Sequence, residues 1–76
     1  MPTIVRLQRS RIDIYGRDHP PPHFHVRAND GSKAAIAIED LRVLAGEISP
    51  PALTEVRCWA EAHRPLLMRI WKERNS

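Results

Sequence analysis

The stretch HFHVRANDGSKAAIAIE, residues 23–39, contains two alternating segments separated by an Asp-Gly pair. In the first segment Phe24 and Val26 alternate with polar or charged residues, a period of two that is typical of a β-strand with one buried face. In the second segment Ile36 and Ile38 form the apolar set. Because Asp-Gly is a strong turn signal, this stretch predicts a β-hairpin.

Residues opposite each other in a hairpin lie on the same face of the sheet, and this condition sets the predicted register. Phe24 is expected opposite Ile38 and Val26 opposite Ile36, with Asp30-Gly31-Ser32 as a three-residue loop. The other face then holds three pairs: His23 with Glu39, His25 with Ala37, and Arg27 with Ala35. Two histidines and an arginine are therefore predicted on one surface, beside two alanines and Glu39.

The segments on either side of this hairpin extend the sheet and cover it. Residues 3–7 and 11–15 are rich in β-branched side chains and are joined by a polar turn, which predicts a second hairpin. Residues 41–45 alternate poorly and fit either a further strand that ends before Gly46 or a bend at Asp40. Ser49-Pro50 has the form of a helix N-cap followed by a proline in the first turn, so a helix is expected from about residue 50.

The C-terminal segment is helical in composition and carries a continuous apolar stripe. The members of the stripe recur at steps of three and four residues: Leu53, Val56, Ala60, His63, Leu67 and Ile70. Pro65 removes an intrahelical hydrogen bond and disfavours helical geometry at the preceding residue, so a kink or two successive helices are expected. The predicted fold class is α+β, a small antiparallel sheet of three to five strands packed against a C-terminal kinked helix or helix pair.

Length and composition limit the class of protein. Seventy-six residues are too few for two cores, so one domain is expected over residues 1–76, β-rich at 3–45 and helical at 50–74. The single cysteine, Cys58, cannot form an internal disulfide, which favours a reducing compartment and predicts a cytoplasmic protein. No apolar run approaches the roughly 20 residues of a membrane helix, so no membrane interaction is expected. The net charge of +3, carried mostly by arginines, favours an anionic partner.

His23, His25 and Arg27 carry the chemistry that the sequence indicates, and several interpretations remain open. Histidines two residues apart on a strand point to the same side, so together with Asp18 and His19 they could hold a divalent metal such as zinc. The absence of any cofactor is the first expectation. In that case His23 or His25 could act as general acid or base while Arg27 stabilises a phosphate, which is the minimum for cleaving RNA.

The same surface could instead bind a partner, either an acidic protein or nucleic acid. The predicted partner-binding residues are His19, His23, His25, Arg27 and Lys33. Tyr15 and Trp71 could stack a nucleic-acid base. His63 lies within the apolar stripe, where a core role is expected, although a kink at Pro65 could turn it toward Asp18 and complete a site.

The string DHPPPHFHVR, residues 18–27, resembles the hallmark of a small bacterial and phage family described as a domain of unknown function. The resemblance extends over nearly the whole chain, through residues 1–6, the turn at 38–41, and residues 59–64 with Trp71 beyond. The chain departs from the family pattern at three positions. Pro20 adds a third proline, Gly16 is a small residue at the end of a strand, and Pro65 is a proline within the helical segment.

This resemblance implies the toxin of a type II toxin–antitoxin system, because members of the family are typically encoded beside a second short protein. A small protein antitoxin would then neutralise the chain in a hetero-oligomer. The polar positions that match the family are Asp18, His19, His23, His25 and His63. The alternative functions are a small nuclease, metal-dependent or based on His and Arg, and a regulatory module that binds nucleic acid or protein.

Overall fold

The computed structural model describes residues 3–75, in which five β-strands precede two α-helices. The elements are β1 (Thr3–Arg6), β2 (Ser10–Asp13), β3 (His23–Ala28), β4 (Lys33–Ala37), β5 (Val43–Glu47), α1 (Pro50–Ala62) and α2 (Arg64–Arg74). The spatial order of the strands follows the chain, and every neighbouring pair is antiparallel. The predicted α+β class, with an antiparallel sheet and a C-terminal helix pair, is confirmed.

One face of the sheet forms the hydrophobic core together with both helices. The core residues of the strands and turns include Ile12, Ile14, Phe24, Val26, Ile36 and Ile38. The helices contribute Val56, Ala60, Leu67 and Trp71 to the same core. Because side chains alternate along a strand, the intervening residues lie on the opposite face of the sheet. We call that opposite face the open face, defined by Arg11, Asp13, His25, Arg27, Lys33 and Ala35.

The register between β3 and β4 differs from the predicted one by two residues. The observed pairs are His23 with Ala37, Phe24 with Ile36, His25 with Ala35, Val26 with Ala34, and Arg27 with Lys33. The predicted pairs, each two residues farther along the second strand, are wrong. A shift of two leaves every side chain on its predicted face. It nevertheless places a lysine, instead of an alanine, opposite Arg27.

The loop of this hairpin explains the shift. The Ala28 N–H donates to the carbonyl oxygen of Ser32 at 2.8 Å, so the three-residue loop is Asn29-Asp30-Gly31 and not Asp30-Gly31-Ser32. A common three-residue hairpin loop ends in a residue with left-handed backbone geometry. Gly31 occupies that last position with φ of +92°, which glycine adopts without steric penalty.

The last strand, β5, lies two residues farther along the chain than the strand expected at 41–45. Gly46 does not follow the strand but lies within it, opposite Ala34. Its φ is +81°, and a Cβ atom at this position would lie 2.5 Å from the carbonyl oxygen of Lys33. The close approach of β4 and β5 therefore requires glycine here.

The helical segment is broken at His63, between the end of α1 and the start of α2. His63 has φ of −126° and ψ of 21°, and Pro65 stands in the first turn of α2. The predicted break at this proline is confirmed. Within residues 3–75, neither helix has the length and apolar character needed to cross a membrane.

Candidate functional site

The loop between β2 and β3 carries Asp18 to the start of β3. Arg17, directly before it, has left-handed backbone geometry with φ of 58°, which turns the chain at this point. Pro20, Pro21 and Pro22 follow and cannot donate backbone hydrogen bonds, so this stretch cannot join the sheet as a central strand. The loop instead ends where Ile38 N–H donates to the carbonyl oxygen of Pro22 at 3.1 Å.

Asp18, His23 and His25 converge at the start of β3, and we call them the Asp-His-His triad. Asp18 Oδ2 lies 2.9 Å from His23 Nε2 and 3.3 Å from His25 Nε2. One ligand atom from each of the three residues lies within 4.8 Å of the other two. Two imidazoles and one carboxylate are a donor set that binds divalent transition metals and leaves coordination positions open. The geometry therefore forms a candidate metal centre.

Both ring nitrogens of His23 face oxygen atoms, although the residue is only 6% exposed. His23 Nδ1 lies 2.7 Å from the Pro21 carbonyl oxygen, a contact in which the ring must donate. In the neutral ring Nε2 then carries a lone pair that points at Asp18 Oδ2. A histidine that binds a metal commonly donates its other N–H to a backbone carbonyl, as His23 does here.

The Asp18 carboxyl group is held in its ionised form. Burial raises the pKa of Asp18. The hydrogen bonds from His25 and from the His19 N–H lower it, and so do the charge and the hydrogen bond of His23. Together these interactions keep the pKa of Asp18 below its ordinary value of 3.8. A deprotonated carboxylate is the form that a metal site requires.

The C-terminal end of α2 positions the triad. Asn75 Oδ1 accepts a hydrogen bond from the Asp18 N–H at 2.6 Å, and Asn75 Nδ2 donates to the Tyr15 carbonyl oxygen at 3.2 Å. The ring of Trp71 packs against that of His23, with centroids 5.0 Å apart. No sequence pattern pointed to Asn75, because it lies 57 positions after Asp18 and belongs to no local motif.

A cleft of about 330 Å³ opens on the open face beside the triad. Its lining includes Asp13, Tyr15, His25, Arg27 and Lys33. The Tyr15 and His25 rings meet edge to face, with centroids 4.7 Å apart and an interplanar angle of 70°. Because His25 belongs to both the cleft and the triad, a ligand in the cleft would lie next to the candidate metal centre.

The structure brings together most, but not all, of the predicted site residues. The side chain of His19 is 90% exposed, and its Nδ1 lies 3.4 Å from Asp18 Oδ1, outside the triad. His63 stacks on Trp59 with ring centroids 4.2 Å apart, and its Nδ1 lies 2.7 Å from the Trp59 carbonyl oxygen. Three of the four predicted metal ligands thus converge, and His63 has a packing role within the helices.

Comparison with known proteins identifies the family. The sequence profile of the family described as Domain of unknown function (DUF4160) matches residues 10–72. The chain belongs to the DUF4160 family. The match contains the Asp-His-His triad and the cleft residues, and it confirms the predicted resemblance to a small domain-of-unknown-function family. No curated protein and no solved structure matches the chain significantly.

Proposed function

We propose that this DUF4160 chain is the toxin of a bacterial type II toxin–antitoxin pair and acts in the cytoplasm as a metal-dependent ribonuclease. A small protein antitoxin neutralises it by covering the open face. The resemblance of the sequence motif to toxin members supports the first part of this proposal. The observation that carries the ribonuclease part is the convergence of Asp18, His23 and His25 beside a cleft with two cationic side chains.

The donor set favours a catalytic site over a structural one. Structural zinc sites usually have four protein ligands, whereas the triad provides three and leaves a position for water. Two imidazole ligands favour zinc or a similar transition metal over magnesium, which prefers oxygen ligands. The triad's His25 is half-buried and lines the cleft, which would give a substrate access to the proposed metal.

The chemistry proposed at this centre is hydrolysis of a phosphodiester. Asp18, His23 and His25 would hold a divalent metal, which would lower the pKa of a bound water and so supply the nucleophile for attack on phosphorus. The bond from phosphorus to the leaving ribose oxygen breaks, and that oxygen takes a proton from solvent, so one water is consumed per bond cleaved. Arg27 and Lys33 stabilise the negative charge on the phosphate oxygens.

The ribonuclease proposal is tested by incubating the purified chain with RNA under defined metal conditions. We expect chelator to abolish cleavage and added Zn²⁺ or Mn²⁺ to restore it. His25→Gln should reduce cleavage by at least about 100-fold because it removes a metal ligand. His63→Gln removes a histidine outside the triad and should leave cleavage unchanged. RNA that stays intact with every metal would show that the chain is not a ribonuclease.

The toxin proposal is tested separately by expression in bacteria. We expect growth arrest on expression of the wild-type chain, rescue by the neighbouring small protein, and normal growth on expression of His25→Gln. Harmless expression of the folded wild-type chain would contradict the proposal. If RNA is retained in a salt-sensitive manner but never cleaved, the chain is instead a nucleic-acid-binding regulatory module.

A further inference from the structure

Asp13 contributes a buried carboxylate with one unsatisfied oxygen to the cleft. The residue is 3% exposed and lies opposite His25 in the sheet. Its Oδ2 lies 3.5 Å from Arg11 Nε, but its Oδ1 has no hydrogen-bond partner within residues 3–75. Buried polar atoms are nearly always paired, so Asp13 Oδ1, beside the cleft, lacks a hydrogen-bond donor that a ligand or an ordered water would supply.

Arg27 and Lys33 provide the cationic part of the same cleft. In the sheet Arg27 stands directly between Arg11 on β2 and Lys33 on β4. Like charges directly opposite each other destabilise a sheet. Within residues 3–75, Arg27 and Lys33 form no ion pair, whereas Arg11 has Asp13. A phosphate bound between Arg27 and Lys33 would remove their repulsion and form charge-assisted hydrogen bonds.

The remaining surface of the cleft suits a flat ring. Tyr15 is 40% exposed and stands at the cleft, where its ring could stack on a base. Ala35, Ala45 and Gly46 have no side chain beyond Cβ, so they leave room beside it. The volume of about 330 Å³ is at the lower end of small-ligand pockets, which span roughly 300–1,000 Å³. One nucleotide fits this space better than several.

We infer that the cleft is a subsite for a single nucleotide. The phosphate lies between Arg27 and Lys33, the base packs against Tyr15, and a hydrogen-bond donor of the same nucleotide binds Asp13 Oδ1. This inference names the substrate group recognised by the proposed ribonuclease, and its biological role rests on that function. Nucleotide binding itself requires neither metal nor cleavage, so it can be measured independently.

The test uses the chelator-treated full chain and follows backbone amide shifts by NMR during titration with AMP, CMP, GMP and UMP. We expect at least one nucleotide to shift cleft amides, and to bind about tenfold more tightly than inorganic phosphate or the matching nucleoside alone. The matching deoxynucleotide is titrated in the same way. Weaker binding of the deoxynucleotide would identify the ribose 2′-hydroxyl as the donor to Asp13, and equal binding would identify the base.

Two variants test the assigned contacts. Lys33→Ala should weaken nucleotide binding about fivefold, whereas Lys72→Ala, which removes the other lysine of the chain from the exposed surface of α2, should not. Asp13→Asn should weaken nucleotide binding about tenfold without weakening phosphate binding, a pattern that general loss of structure would not produce. Lys33 is exposed, so its variant remains informative if Asp13→Asn does not fold.

The outcomes separate this inference from the proposed function. Absence of cleft shifts with every nucleotide at millimolar concentration would overturn the subsite, whether or not RNA is cleaved. Equal weakening in Lys33→Ala and Lys72→Ala would also overturn it, because general charge attraction would then explain the affinity. Nucleotide binding without RNA cleavage would leave the subsite standing and remove the ribonuclease proposal.

Discussion

His23 connects the hydrophobic core to the Asp-His-His triad through a single ring. One nitrogen is fixed by the Pro21 carbonyl oxygen, the other faces Asp18, and the ring itself packs on Trp71. This packing restricts the ring to one orientation, which would preorganise His23 as a ligand of the proposed metal. Asn75 also restricts the triad. Its side chain accepts a hydrogen bond from the backbone N–H of Asp18, so it fixes the backbone of that residue and not its carboxylate.

Asn75 is a positioning residue, and removing its side chain should weaken the metal centre without removing a ligand. Asn75→Ala loses the hydrogen bonds to Asp18 and Tyr15, so we expect Zn²⁺ affinity to fall by about tenfold in calorimetric titration. Asn29→Ala is the matched control, because Asn29 donates to backbone carbonyl oxygens near the β1–β2 turn, away from the triad. Equal affinity in the two variants would show that Asn75 does not support the centre.

The triad could be predicted because its three residues lie close together in the sequence. Period-two alternation places His23 and His25 on one side of a strand from sequence alone, and the proximity of Asp18 in the chain made it a candidate ligand. Asp13 and Asn75 were missed for a different reason. Asp13 reaches the cleft through pairing of β2 with β3, and Asn75 reaches Asp18 only after α2 packs across the sheet.

At the scale of elements, the β3–β4 hairpin and its neighbour β5 form much of the cleft. The apolar alternation fixed which residues face the core, but any shift of two residues satisfies the same alternation. Only the loop distinguishes these registers. The position of Gly31 at the end of the loop, with φ of +92°, selects the observed one. Turn chemistry was therefore the missing constraint in the predicted register.

Gly46 should be more sensitive to substitution than Gly31, because only Gly46 has a neighbour where its Cβ would be. Both glycines have positive φ, which costs an ordinary residue roughly 1–2 kcal/mol. At Gly31 the Cβ would meet no atom within 4 Å, whereas at Gly46 it would lie 2.5 Å from the Lys33 carbonyl oxygen. In urea unfolding we expect Gly46→Ala to be destabilised well beyond Gly31→Ala. Similar losses would contradict the close packing of β4 and β5.

Asp30 gives the hairpin loop a pH-dependent contact. The side-chain hydrogen bond from Ser32, followed by the Ser32 N–H and the Ser49 hydroxyl, holds the pKa of Asp30 below its ordinary value of 3.8. A carboxyl group whose pKa falls on folding stabilises the fold above its unfolded pKa, and this contribution disappears as pH falls through the folded pKa.

The Ser32 amide should therefore shift in an NMR pH titration with a midpoint below 3.8. Asp30→Asn should abolish that transition while leaving the amides of β2 unaffected. A midpoint at or above 3.8 would show that the serine contacts do not form in solution.

At the scale of the whole molecule, a single core on one face of the sheet leaves the other face available for binding. The class of fold was predictable because two periodicities, two in the strands and 3.6 in the helices, follow from local geometry. The contacts between side chains on different elements were not predictable, because they depend on strand register and helix packing. A chain of this size has an expected total stability of roughly 4–11 kcal/mol, so a bound ligand changes it appreciably.

Metal binding should raise the thermal stability of the whole chain, since the triad links the loop that carries Asp18 to β3. A ligand present at 100 times its Kd stabilises the native state by about 2.7 kcal/mol, and each 1 kcal/mol raises Tm by roughly 4–8 °C in a domain of this size. Saturating Zn²⁺ should therefore raise Tm by more than about 10 °C, and chelator should reverse the shift.

His25→Gln and His63→Gln form the matched pair for this measurement. Each variant is compared with itself with and without Zn²⁺, so any intrinsic loss of stability cancels. We expect the Tm shift to vanish in His25→Gln, which removes a triad ligand, and to persist in His63→Gln, whose ring lies on Trp59. A Tm shift that survives in His25→Gln would place the metal elsewhere. The absence of a shift in the wild-type chain would contradict Zn²⁺ binding by the triad.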